Sequence, residues 1–301
     1  MNWQEQLITT YLYVCKHYHE KLWVYCQRMS NHSDLSFTDE EVITIYLFGV
    51  IDGKTDISKI YKYTDRHLRA WFPKLPSYEA YVQRLNKVSE VFAPLLEMIV
   101  SQSLKQGAFK NDTAWIMDSF PVALAKQGHR FNAKVAPDIA STGYCSSKNL
   151  YFYGVRVHIV GRSQPRTLPY PEYIGVIGAN MHDAKAFEQI SPELFDNDFY
   201  GDKAFKLSNK TEQELYYKQH LRIFTPIKKK KGQKCLDAAE KLYSTAVSKI
   251  RQPIESLFAW LDRVSGIESA SKVRSTTGLM VHIFGRLAAA IFFWSFLRIS
   301  S

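Results

Sequence analysis

A chain of 301 residues, 46% hydrophobic and 23% charged, has the composition of a folded protein with a sizeable core, which excludes a disordered basic tail. Its formal charge of +10 and pI near 9.2 favour an anionic partner, of which nucleic acid is the commonest. Four cysteines, Cys15, Cys26, Cys145 and Cys235, show no zinc-ligand spacing and read as reduced thiols of an intracellular protein.

The opening MNWQEQLITT lacks the basic stretch and apolar core of a secretory signal. Residues 1–106 are predicted to form a helical domain. Thr38 and Glu41 make a capping box before the apolar VITIYLFGVI. A second helix is predicted from Asp56 to His67, and a third segment starts at Ser77 after Pro73 and Pro76. Lys59, Lys62, Arg66, Arg69, Arg84 and Lys87 are scattered through this region. They suit a DNA-binding helical unit or a solvated basic face, and no sharp helix-turn-helix signature separates the two.

After Gly107 the texture changes, and residues 107–301 are predicted to form an α/β domain. Strands are predicted at Ala114–Met117, at the alternating Leu150–Val160, at Tyr173–Ile177, at Phe199–Gly201 and at Leu221–Ile227. Helical patterns lie at Ala184–Leu194, at Ser208–His220 and from Leu236 onward, so a mixed sheet flanked by helices is expected. Near the end, the uncharged Leu287–Leu297 is bounded by Arg286 and Arg298. That run is shorter than the roughly 20 residues needed to span a bilayer. It reads as a buried core helix.

Three acids stand out. Asp118 follows an apolar run in TAWIMDSFPV, where a lone buried carboxylate is costly unless it is paired, hydrogen-bonded or bound to a cation. Asp202 follows a short strand in DFYGDKAF. Glu255 lies in SKIRQPIESLFAWLDR, an amphipathic helix on which Arg251, Glu255 and Asp262 share a stripe beside the apolar face. Pro253 either kinks that helix or starts a new one. Singly, Asp118 reads as a turn residue, Asp202 as a cap and Glu255 as a solvated helix residue.

Together, MDSFPV, FYGDKAF and RQPIESLFAWL resemble the three acid motifs of bacterial insertion-sequence transposases of the DDE superfamily. The resemblance implies an RNase H-like catalytic domain in which Asp118, Asp202 and Glu255 hold two Mg²⁺ ions, with Mn²⁺ able to substitute. It implies hydrolysis at transposon ends followed by strand transfer into target double-stranded DNA, by a homodimer in the bacterial cytoplasm. The helical domain would then bind DNA ends or join protomers. Relatives extend the third motif as Tyr, Arg, Glu and Lys at fixed intervals. Arg251 and Glu255 fit, whereas Ser248 stands for the Tyr and Asp262 for the Lys. Oxygen donors suit Mg²⁺, and a pair of ions can activate the attacking oxygen and stabilise the leaving one.

Arg251, Lys203 and the run Lys228, Lys229, Lys230 and Lys231 are the expected DNA contacts, through backbone phosphate rather than bases. Arg251 also suits an ion pair with Glu255 one turn on. Arg156 and His158 read as sheet-surface residues and Asp183 as a helix cap after His182. A nuclease without strand transfer and a catalytically inactive DNA-binding regulator are the rival readings.

Overall fold

The computed structural model describes residues 1–28, 35–106, 114–164, 166–181, 183–229 and 231–297. Its contacts divide the chain into two units, Met1–Gly107 with Leu261–Ser301, and Ala108–Trp260. The C-terminal residues therefore group with the N-terminal helices, whereas the 107–301 boundary assigned them to the sheet.

The first unit contains α1 (Trp3–Glu20), α2 (Asp39–Ile51), α3 (Ile57–His67), α4 (Tyr78–Lys87) and α5 (Phe92–Gln106). The Thr38–Glu41 capping box forms as expected, with Glu41 N–H donating to Thr38 Oγ1 and Thr38 N–H to Glu41 Oε2. Residues 42–50 of α2 are all buried, which makes it the central helix, apolar on every side. The helical stretch Thr276–Leu297 packs here. It is 22 residues long, apolar enough to cross a membrane by composition, and mostly buried. This is twice the length of the uncharged run, because Arg286 lies within it and is itself buried, donating to the carbonyls of Ser265 and Thr55.

Asp39, at the start of α2, is buried to 1% exposure between two guanidinium groups. Arg28 Nη2 and Arg84 Nε each donate to Oδ1 at 2.6 Å, and Arg84 Nη2 also reaches Oδ2. Burial opposes the charge of Asp39, but the two arginines outweigh it and hold the pKa below the usual carboxylate range. Arg84 is thus a structural residue and no part of a solvated basic face.

The second unit is built on a six-stranded sheet. Its strands are β1 (Trp115–Lys126), β2 (Ser141–Cys145), β3 (Leu150–Arg162), β4 (Tyr170–Gly178), β5 (Asp198–Tyr200) and β6 (Arg222–Phe224). The path runs β2-β3-β1-β5-β6, with β4 also on β3; β3 pairs antiparallel with β1, β2 and β4, and β5 and β6 run parallel to β1. Helices α6 (Asp183–Ile190), α7 (Asn209–Gln219), α8 (Ala238–Arg251) and α9 (Pro253–Ser265) connect or follow these strands. The division between the units falls within α9, between Trp260 and Leu261.

Period-two alternation gives β1 two working faces. Trp115 and Met117 join Ala186, Phe187 and Phe199 in a core on the α6 side. Asp118 and Phe120 face the other way, where Phe120 meets Phe258 of α9 with ring centroids 4.9 Å apart. Asp118 was expected to end its strand, yet β1 continues to Lys126. Antiparallel pairing with β3 carries it on through Pro121, which is tolerated because β5 pairs with β1 only at Trp115 and Ile116. β2 was not anticipated, since Ser141-Thr-Gly-Tyr-Cys145 is polar and has no clear alternation.

Replacing Arg84 by Ala should destabilise the protein by about 3 kcal/mol, because Asp39 would keep its buried charge with one partner fewer. Urea unfolding of the variant against the parent measures this, and a loss under about 0.5 kcal/mol would mark the contact as unimportant.

Candidate active site

The register of β1 on β5 pairs Ile116 with Tyr200, so Asp118 and Asp202 each come two residues after the last pair on adjacent parallel strands. Gly201 allows the tight exit from β5, where an added Cβ would lie 3.0 Å from Phe205 Cβ. Asp202 then caps the following short helical turn, accepting from Lys203 N–H at 2.6 Å.

Asp118 is mostly buried. Its Oδ1 accepts from Ser119 N–H at 2.8 Å and its Oδ2 is bound by Arg251 Nη1. Arg251 Nη2 donates to Glu255 Oε1 at 2.8 Å, so one guanidinium joins both acids. Pro253 is the first residue of α9, so Arg251 ends one helix and Glu255 lies in the first turn of the next. Burial pushes the Asp118 pKa up to about 6, with Asp202 and Asp183 adding to the rise. Arg251 and the Ser119 amide pull it the other way without cancelling the effect.

Asp118 and Glu255 are thus joined through a cation, and Asp202 is near enough to be felt by Asp118. The three carboxylates do not close on one point. Among the described residues, no three His, Cys, Asp or Glu side chains group so that they could hold a metal ion. Glu255 remains 59% exposed. The donor chemistry still suits a hard cation, because all three ligands would be oxygen and the charge on Asp118 is only partly compensated.

A cleft of about 480 Å³ opens beside this group, lined by Lys203, Lys241, Lys249, Arg251, Gln252 and Glu255 among others. Lys203 and Arg251 were expected to face DNA. Lys241 and Lys249 were not, although Lys241, Ser244, Ser248, Arg251 and Glu255 recur every three or four residues as one polar stripe. Lys228, Lys229 and Lys231 lie exposed in the loop before α8, outside the cleft lining, and Lys229 Nζ donates to Lys234 O at 2.8 Å. Lys230 lies outside the described residues. Asp262 accepts from Glu268 N–H at 3.0 Å, a local capping bond.

Behind Asp118, on the opposite face of β1, is a charged cluster that the strand pattern did not reveal. Asp183 Oδ1 lies 2.9 Å from His158 Nε2, 3.2 Å from Ser119 Oγ and 3.3 Å from Arg156 Nη1. Burial raises the Asp183 pKa, but these partners outweigh it and leave a net lowering. His158 is fully buried, so it is an interior residue and not a sheet-surface one. His182 lies outside the described residues. Trp260 is buried to 6% exposure, which agrees with core packing.

Residues 109–276 match the family described as the transposase DDE domain, a stretch that takes in all three acids. The chain belongs to this family. Transposase DDE domains act on DNA, which agrees with the basic composition and the lysine-lined cleft. No curated protein and no solved structure matches the chain.

The raised pKa of Asp118 has a signed consequence for the transposase domain. A carboxyl whose folded value of about 6 exceeds its ordinary 3.8 costs stability where it is ionised. That cost is absent below about pH 4, grows through pH 6 and is full above it. In EDTA, Asp118→Asn should therefore be the more stable protein near neutral pH, by roughly 2 kcal/mol. The advantage should shrink as the pH falls to about 4. Melting temperatures across that range measure it, and a pH-independent difference would remove the assignment.

Proposed function

We propose that the protein is a DNA transposase in which Asp118, Asp202 and Glu255 hold divalent metal, Mg²⁺ by preference, for hydrolysis at transposon ends and strand transfer. One observation carries this: two family-matched acids stand at the same level of adjacent parallel strands, with the third joined to the first by Arg251. The sheet supports an RNase H-like reading, four antiparallel strands followed in sequence by two parallel ones. When bound, the ions would activate the attacking oxygen and stabilise the leaving one.

The chain's own residues supply the rest. Lys203, Lys241 and Lys249 line the cleft beside Glu255 and neutralise phosphates of the bound strand, which brings a phosphodiester toward Asp118 and Asp202. Arg251 offers a forked donor that suits a phosphate as well as it suits the two carboxylates. The helical unit, in this reading, recognises transposon ends or joins two protomers.

Duplex DNA carrying the inverted repeats that flank the coding region should be nicked with Mg²⁺ and joined to a supercoiled plasmid. Asp118→Asn should abolish both steps while leaving duplex binding in place. Full cleavage by that variant would exclude Asp118 from the chemistry, and nicking without joining would favour a nuclease. Replacing Lys241 and Lys249 together by Ala should lower the slope of log affinity against log salt by about 2, one per lost phosphate contact. An unchanged slope would take the cleft off the DNA path.

A further inference from the structure

An exposed aromatic cluster lies where the turn after β1 meets the β2–β3 hairpin. Phe131 is 73% exposed, Tyr151 49% and Tyr144 39%. The Tyr144 and Tyr151 rings are cross-strand partners with centroids 4.5 Å apart. Arg130 lies over Phe131 at 4.0 Å and over Tyr151 at 4.9 Å, and its Nη1 donates to Gln127 O at 2.8 Å. Tyr144 hydroxyl donates to Asn149 Oδ1 at 2.9 Å. Tyr144 is therefore held at the surface by a hydrogen bond, and Phe131 and Tyr151 by the Arg130 guanidinium over their rings. Gln127 and Asn149, which flank the cluster, both have positive φ, 50° and 46°. Such backbone is uncommon for Gln and persists only where the surroundings enforce it.

The surroundings are basic. Residues 126–151 contain Lys126, Arg130, Lys134 and Lys148 against a single acid, Asp138. Phe, Tyr and Arg also occur in protein interfaces, but Lys126, Lys134 and Lys148 around this cluster are of a type depleted there and favour a polyanion. Duplex DNA buries its base faces, and only an unpaired strand offers them to a ring. Aromatic side chains interleaved with positive charge are the usual platform for such a strand.

Position along the sheet adds a second argument. Tyr151 and Ile159 are eight residues apart on β3, so they share a face, and Ile159 is the partner of Asp118. At about 3.3 Å per residue, the cluster stands roughly 26 Å along that face from Asp118. Arg251, which lines the cleft, meets Asp118 on the same face.

We propose that Phe131, Tyr144 and Tyr151, braced by Arg130, form a stacking ledge for unpaired bases of a DNA strand whose reacting phosphate lies at Asp118. The ledge rests on the transposase reading in that its ligand is DNA. It adds a recognition site for single-stranded DNA, separate from the three acids.

The test uses the full chain, a fluorescein-labelled oligothymidylate of about 12 nucleotides and a labelled duplex. The double variant Phe131→Ala, Tyr151→Ala should bind the oligothymidylate about tenfold more weakly while binding the duplex as the parent does. Phe131→Trp should keep the single-strand affinity. Photocrosslinking of an oligonucleotide with 5-iodouracil should map to Phe131 or Tyr151. The single variant Phe131→Ala, at a highly exposed position, gives the same reading if the double variant fails to fold. Unchanged affinity for the oligothymidylate overturns the ledge. A parent that binds duplex but no single strand overturns the ledge and leaves the transposase reading intact, whereas a parent that binds neither overturns both. A fall in sedimenting mass on mutation, with single-strand affinity unchanged, would make the patch a contact between copies and overturn the proposal.

Discussion

Arg251 is the group on which the candidate site depends. A carboxylate on a strand packed from both sides is unfavourable in its charged form, and the pKa of Asp118, pushed up to about 6, records that. The guanidinium reduces the penalty and at the same time fixes where α8 ends relative to β1, since it holds Asp118 with one nitrogen and Glu255 with another. The acid, the basic cleft and the break between two helices are thus one electrostatic arrangement. Arg251 binds two carboxylates, and its forked donors are of the kind that bind phosphate as well.

Much of the second unit was legible because its strands are strongly patterned. Leu150–Val160 alternates and is observed as Leu150–Arg162. Phe199-Tyr-Gly, closed by Asp202, is observed as a short strand and a cap. What failed to show was set by tertiary pairing. The extension of β1 beyond Asp118 comes from its long register with β3, and no local signal predicts a strand running through Pro121. A bulge between Ala123 and Ala125 lets it continue, and Gly154 is required opposite, where a Cβ would sit 2.1 Å from Val122 O.

At the site, Asp118, Asp202, Glu255, Arg251 and Lys203 could be named from motifs and the Arg251–Glu255 pair from helical spacing, whereas the bond from Arg251 to Asp118 could not. Asp183 looks like a helix start in sequence, and its bonds to His158, Arg156 and Ser119 depend on α6 folding back over the face of β1 that Asp118 avoids. Lys241 and Lys249 were hidden because nothing local to α8 says which of its exposed lysines line the cleft. The grouping of Leu261–Ser301 with the N-terminal helices was equally out of reach, since the order of segments along a chain does not say which apolar helix supplies the core of which unit.

The break at Gln252 and Pro253 has a mechanical consequence. Arg251 and Glu255 are four residues apart, yet each rides on a different rod, so their pairing spans a joint. Opening or closing that elbow would change the distance between the guanidinium and one acid while leaving the other contact on its strand. The contact with Asp118 would hold through such a change, and the contact with Glu255 would be the one to give.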